Sequence, residues 1–133
     1  MQVLGFRQLL TAVPDTTATL LAIESSCDET AVAILRGNLN NAEVLSSEIS
    51  SQIDIHRQYG GVVPELASRN HSLALRPLID AALENAGITF EQVDGFAATA
   101  GPGLASSLLI GHTAAKAMAV AADKPFISIN HME

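Results

Sequence analysis

Six consecutive residues, Ser25-Ser26-Cys27-Asp28-Glu29-Thr30, bring three hydroxyls, a thiol and two adjacent carboxylates together. In a turn between strands, hydroxyls and backbone N–H groups can meet a phosphate, and Asp28 or Glu29 can position a water, a metal or a ribose hydroxyl. The plainer alternative is a polar hairpin with two solvated acids. A second candidate, Gly101-Pro102-Gly103, falls between an apolar run and a helical pattern, where glycines let backbone amides approach a ligand at a helix N-terminus. It has neither the spacing of a Rossmann fingerprint nor a Walker lysine, so alone it reads as a tight turn. Lys116 lies several turns into the helix and reads as a solvated side chain.

The last residues, INHME, supply a third candidate. Asn130, His131, Met132 and Glu133 follow a strand-like run, and a neutral imidazole at a strand end can ligate a metal beside neighbouring loops. H-x-E is part of the zinc-deaminase signature, but the downstream P-C-x-x-C is absent, and so is the zincin H-E-x-x-H. The remaining ligands would have to come from outside the sequence. His56 and His71 flank HRQYGGVVPELASRNH, fifteen residues apart with no standard metal spacing, in what reads as a surface loop for recognition. His112, on a helix, reads as structural.

These groups need elements to hold them. Thr19 to Glu24 (TLLAIE) reads as a buried strand, Ala31 to Leu35 as a second, and Ala42 to Ser50 as a third beyond the Gly37-Asn38 turn, which makes an antiparallel meander. Gly60-Gly61 breaks the chain, and Pro64-Glu65 opens a helix with Leu75, Ile79, Leu83 and Ala86 on one face and Gly87 as its stop. Pro77 is expected to kink or divide that helix. Val93 to Ala100 reads as a strand, and a second helix follows the glycines with Leu104, Leu108, Ala115 and Met118 or Ala119 inward. Asp123-Lys124-Pro125 ends it, and Phe126 to Ile129 forms the last strand. The order β-β-β-α-β-α-β predicts a mixed five-stranded sheet with a parallel half, whose carboxyl ends are where open α/β sheets bind ligands. Small residues crowd the second helix, from Ala105 to Ala115, and fit close packing on the sheet or a subunit interface.

Bulk properties narrow the classes. The chain has 133 residues, 48% of them hydrophobic, enough for one domain with a core. A formal net charge of −7 argues against an isolated nucleic-acid-binding module, although a partner or further segment could supply the basic surface. The single cysteine, Cys27, excludes an internal disulfide and suits a reducing, cytoplasmic compartment. Residues 1 to 18 hold short apolar runs interrupted by Arg7 and Gln8; they read as an N-terminal extension, neither a secretory h-region nor a membrane span.

Taken in order, LAIESSCDETAVAIL, SSQIDIHRQYGGVVPELASRNH, TAGPGL and INHME make the chain from Leu20 to Glu133 resemble the amino-terminal half of the tRNA N6-adenosine threonylcarbamoyltransferase family, the TsaD type, formerly labelled glycoprotease or O-sialoglycoprotein endopeptidase. The resemblance implies an α/β lobe of the actin, Hsp70 and sugar-kinase (ribonuclease H-like) class at residues 19 to 133, with a second lobe elsewhere. It implies transfer of threonylcarbamoyl from threonylcarbamoyl-AMP to N6 of the adenosine beside the tRNA anticodon. It implies one divalent metal, iron or zinc, on an H-x-x-x-H pair whose first histidine matches His131 and whose second would fall two residues beyond Glu133, with a later aspartate. On that comparison the chain is expected to be a truncated or proteolysed piece, inactive by itself.

The same resemblance matches Asp28 and Glu29 to catalysis, Ser26, Cys27, Gly101, Pro102 and Gly103 to substrate binding, and His56, Tyr59, Glu65, Arg69 and His71 to a signature on the cleft or tRNA side. Ser25 stands where the family usually has threonine. Partners implied are tRNA, threonylcarbamoyl-AMP, a TsaB-type paralog and other pathway proteins, with a homodimer through the lobe helices as a further option and no membrane. Two alternatives stay open: a non-catalytic TsaB-type dimerisation partner, which would lack SCDET and the histidine motif, and a small-molecule kinase or ATPase of the same superfamily. A protease is not supported, because no zincin motif or nucleophile–base pairing is visible.

Overall fold

The computed structural model describes residues 17–38 and 40–132. Five strands, β1 (Ala18–Glu24), β2 (Glu29–Gly37), β3 (Ala42–Ser51), β4 (Gly95–Gly101) and β5 (Phe126–Asn130), form one sheet in the order β3-β2-β1-β4-β5. The first three pair antiparallel as a meander, and β1, β4 and β5 run parallel. Helix α2 (Pro64–Ala86) and helix α3 (Ala105–Ala122) make the crossovers, and a short helix α1 (Ile53–Arg57) follows β3. The expected extension at residues 1 to 18 lies outside the described residues, apart from Thr17 and Ala18; Ala18 already belongs to β1, opposite Gly37.

Period-2 alternation divides the strand side chains between the two faces of the sheet. Leu21, Ile23, Val32, Ile34, Phe96, Ala98 and Phe126 form the main core with Leu75, Ile79 and Ala82 of α2 and Ala115 and Ala119 of α3. Leu20, Ala97 and Ile127 make a smaller cluster with Ala22 and Ile129 on the other face. Glu24 continues the series Leu20, Ala22, and Thr99 follows Ala97, so both polar groups fall on the face turned away from the helices.

The helix ends follow their sequence signals. Pro64 occupies the first turn of α2, Gly87 ends it at φ 69°, and Asp123 ends α3 at φ 54°. Pro77 does not divide α2, which runs unbroken for 23 residues. Pro77 is exposed, and Leu73, whose carbonyl loses its partner there, lies on the same solvent side at 69% exposure, so water can serve that carbonyl. Helix α1 has no counterpart among the expected elements; at five residues it is too short for a periodic signal. Val93, expected in a strand, is fully buried just before β4, and the 3₁₀ turn Phe90–Gln92 precedes it.

Close packing of α3 on β1 depends on Gly111. A Cβ there would lie 2.5 Å from Ser25 Oγ and 2.9 Å from Ile23 Cγ2. The Ser25 hydroxyl, nearly fully buried, donates to the Ser107 carbonyl at 2.7 Å and accepts from the Gly111 N–H at 3.1 Å. Gly111→Ala is therefore expected to destabilise the chain by about 1–3 kcal/mol, the range for overpacking a core. In a Ser25→Ala background, where the nearest obstructing atom is gone, the additional loss should be smaller; chemical denaturation of the four variants measures the difference.

Candidate functional site

Three loops meet where the parallel strands end: residues 25–28 after β1, residues 102–104 after β4, and residues 131–132 after β5. Backbone bonds stitch them together. The Leu104 N–H donates to the Ser26 carbonyl at 2.8 Å, and the His131 N–H donates to the Gly101 carbonyl at 2.7 Å. Gly103 lies so close to the first loop that a Cβ would meet the Ser26 carbonyl oxygen at 2.6 Å. The glycine thus serves loop-to-loop contact. The Gly101–Pro102 peptide is cis, and Gly101 has φ 155°.

The Glu24 carboxylate joins the first loop, β4 and the last loop by accepting a backbone N–H and two side-chain groups. One oxygen accepts the Ser26 N–H at 2.5 Å; the other accepts the Thr99 hydroxyl at 2.6 Å and pairs with His131 Nδ1 at 2.9 Å. Partial burial by itself would raise this carboxyl's pKa, but hydrogen bonds from Ser26, Thr99 and His131 outweigh it and hold the group below the ordinary glutamate range. Glu24 was not among the residues singled out from sequence. Its signal was parity, since an acid that ends an apolar strand in step with Leu20 and Ala22 must sit at the strand's carboxyl end on the open face. On that face a cavity of ≈ 160 Å³ is walled by Ala22, Ala31, Ala33, Ala97, Thr99 and Ile129, with Glu24 also in its lining.

The remaining candidates divide. Ser26 is buried, Cys27 exposed, Asp28 half-buried and Glu29 exposed at the start of β2. The hydrogen bonds that centre on Glu24 do not include the carboxylates of Asp28 and Glu29. His56 and His71, expected in a recognition loop on the cleft or tRNA side, are instead buried at 3% and 0% exposure, because each ring is fully engaged by protein groups. Tyr59, Glu65 and Arg69 of the same segment are exposed. His112 is structural, as expected: its ring stands edge-on to Phe126 at 4.9 Å and its Nε2 meets Ser128 Oγ at 3.2 Å. Desolvation, helped by the Lys116 charge, lowers its pKa.

Among the described residues no group of three or more His, Cys, Asp or Glu side chains converges as a metal site. His131, with Nδ1 engaged by Glu24, offers one ring nitrogen. The described residues therefore do not by themselves fit a complete metal centre, and no chemical step is drawn through one. Cys27 does not have the character of an activated nucleophile either. Desolvation, followed by the negative charge and hydrogen bond of Asp28, raises its thiol pKa.

The fold defined by these elements is a known one. YeaZ from Pseudomonas aeruginosa aligns with a TM-score of 0.61 at 25% sequence identity, covering 85% of this chain and 44% of that one. The chain is thus an α/β lobe of the YeaZ-like, actin-like kind, as the family resemblance implied. The family model for TsaD, tRNA N6-adenosine threonylcarbamoyltransferase, matches residues 43–133, and the chain belongs to that family. Curated tRNA N6-adenosine threonylcarbamoyltransferases agree with it: that of Clostridium perfringens is 55% identical over 114 residues, covering 86% of this chain and 33% of its own. Those of Crocosphaera subtropica and Koribacter versatilis are 53% identical over 115 residues and 54% over 116, covering 86% and 87% of this chain and 32% and 30% of their own. The chain spans about a third of the length of these relatives.

Two outcomes follow from the site's geometry. Glu24→Gln removes the negative charge and replaces one of the two acceptor oxygens with an N–H₂ donor, weakening the bonds from Ser26, Thr99 and His131, and should lower stability by about 1–3 kcal/mol in urea denaturation, with the fold retained by circular dichroism. For Cys27, a raised thiol pKa leaves less thiolate at neutral pH than in free cysteine. Iodoacetamide labelling should therefore be slow at pH 7 and rise with pH through a midpoint above that of free cysteine, and Asp28→Asn should move that midpoint down.

Proposed function

We infer that this chain is the amino-terminal lobe of a transferase that moves threonylcarbamoyl from threonylcarbamoyl-AMP to N6 of the adenosine beside the tRNA anticodon. The observation that supports this reading most is the meeting, at one sheet edge, of the three loops that carry SCDET, the glycine turn and His131, within a chain 53–55% identical to curated transferases. SCDET and His131, which a TsaB-type partner would lack, favour the transferase over a non-catalytic partner.

In this reading the N6 amine attacks the acyl carbon, the bond from that carbon to the adenylate's phosphoryl oxygen breaks, and AMP leaves. The proton lost from N6 passes to Asp28, beside the Cys27 thiol on the first loop, or to Glu29, exposed at the start of β2. Ser26, Cys27, Gly101, Pro102 and Gly103 line the substrate side. His131 would supply one nitrogen to a divalent metal, iron or zinc, whose other ligands would come from outside the described residues, and Glu24 holds the ring's orientation, as carboxylates do for ligating histidines. The opposite wall of the cleft belongs to the two thirds of the relatives that this chain does not span, so the chain by itself is inactive.

Partners are tRNA and a TsaB-type paralog with the other proteins of the pathway, in the cytoplasm. No helix among the described residues is long and apolar enough to cross a membrane. Exposed Leu73 and Leu109, on α2 and α3, support pairing of the lobe through its helices.

The test is threonylcarbamoyl transfer to tRNA from supplied threonylcarbamoyl-AMP, comparing the protein of the full reading frame with the 133-residue chain. Transfer by the longer protein alone supports the reading, silence in both removes it, and turnover by the short chain removes the need for a second lobe. In the longer protein, at least one of Asp28→Asn and Glu29→Gln should slow transfer by about a hundredfold, the lower range for loss of a general base. Wild-type rates in both would take the proton-accepting role from this loop.

A further inference from the structure

The two histidines of the 56–71 segment are the most completely buried imidazoles in the described chain, and the chemistry above uses neither. Their partners fix how each ring is protonated, because a carbonyl only accepts and a backbone N–H only donates. His71 Nε2 lies 2.8 Å from the Cys27 carbonyl, so Nε2 carries the proton; in the neutral ring Nδ1 then accepts the Thr30 hydroxyl at 2.6 Å. His56 Nδ1 accepts the Val63 N–H at 3.1 Å, so its Nε2 carries the proton and donates to Gln52 Oε1 at 2.8 Å.

From Gln52 the network turns toward the same loop. Its side-chain amide donates to the Ala67 carbonyl at 3.2 Å, which ties it to α2, and its backbone N–H donates to the Asp28 carbonyl at 2.8 Å. Two successive carbonyls, those of Cys27 and Asp28, are therefore held from beneath, one by His71 directly and the other through the Gln52 that His56 secures. Thr30, His71, Gln52 and His56 are all at most 3% exposed, so water cannot replace a lost partner without a local opening.

We propose that His71 and His56 are positioning residues, a buried clamp that fixes the backbone of the Cys27–Glu29 loop and so aims the Asp28 and Glu29 side chains across the cleft. The role assigned to those carboxylates rests on the proposed transfer reaction; the clamp itself does not. HRQYGGVVPELASRNH is on this account a bracket for the first loop, and its histidines are spaced to reach that loop from α1 and from α2.

Amide hydrogen exchange on the 133-residue chain tests the clamp without any assay of activity. His71→Ala should speed exchange at residues 26–30 by about tenfold or more while the amides of β4 keep their wild-type rates. Thr30→Val should act in the same direction more weakly, and His71→Gln, whose amide can still donate to the Cys27 carbonyl, should restore most of the protection. Should His71→Ala fail to fold, Thr30→Val and His71→Gln carry the comparison by themselves. Unchanged protection of the loop in folded variants, or an equal loss across β4, overturns the proposal. In the full-length transferase, His71→Gln should leave KM for tRNA near wild type and His56→Ala should lower kcat. A loosened loop with undiminished transfer would uphold the clamp and remove Asp28 and Glu29 from the reaction.

Discussion

One carboxylate governs the carboxyl edge of the sheet. Glu24 is the last residue of the central strand, and it accepts hydrogen bonds from a group on each of the three segments that end there. Held below its ordinary pKa by those bonds, it remains an acceptor at neutral pH and presents no donor of its own. The Ser26 backbone, the Thr99 hydroxyl and the His131 ring take their positions from this anion. The loops need little internal rigidity as a result.

A second layer lies beneath. Small residues let the chain segments approach within hydrogen-bonding distance: Gly103 against Ser26, Gly111 against Ser25. Ser25 then commits its hydroxyl to the helix, and His71 and Gln52 commit N–H groups to the carbonyls of Cys27 and Asp28. The result is a loop whose backbone is held from three directions while the Asp28 carboxylate meets the Cys27 thiol and Glu29 beyond it stays exposed. Such a division, with backbone restrained and side chains available, is what a site on a strand end requires of its scaffold.

Much of this architecture is legible in the sequence. TLLAIE, the Gly37-Asn38 turn and the Pro64 and Gly87 helix signals give the meander, the first crossover and the mixed sheet, because periodicity and turn chemistry are local properties. The loops that meet at the site are also legible, since they interrupt apolar runs. What the residues do not reveal is which polar groups face inward. His56 and His71 look like recognition residues because they flank a polar, glycine-containing stretch, and only the packed fold shows that their partners are internal: Gln52 and the Val63 N–H for His56, Thr30 and the Cys27 carbonyl for His71. Glu24 was overlooked for the opposite reason: as the end of an apolar strand it looks like a boundary, whereas its partners at Thr99 and His131 are 75 and 107 residues away.

That last separation bears on how the molecule assembles. The contact between Glu24 and His131 closes a loop of 107 residues, against 41 for Thr30 and His71. The longer closure costs about 0.8 kcal/mol more in chain entropy, and it has no footing until β4 and β5 have joined β1 in parallel. The clamp under the first loop can therefore form while the meander and α2 find one another, and the Glu24 cluster must come after. In a ribosome's order of delivery, the first strand's acid has only its neighbour Ser26 to hold until nearly the whole lobe has been made.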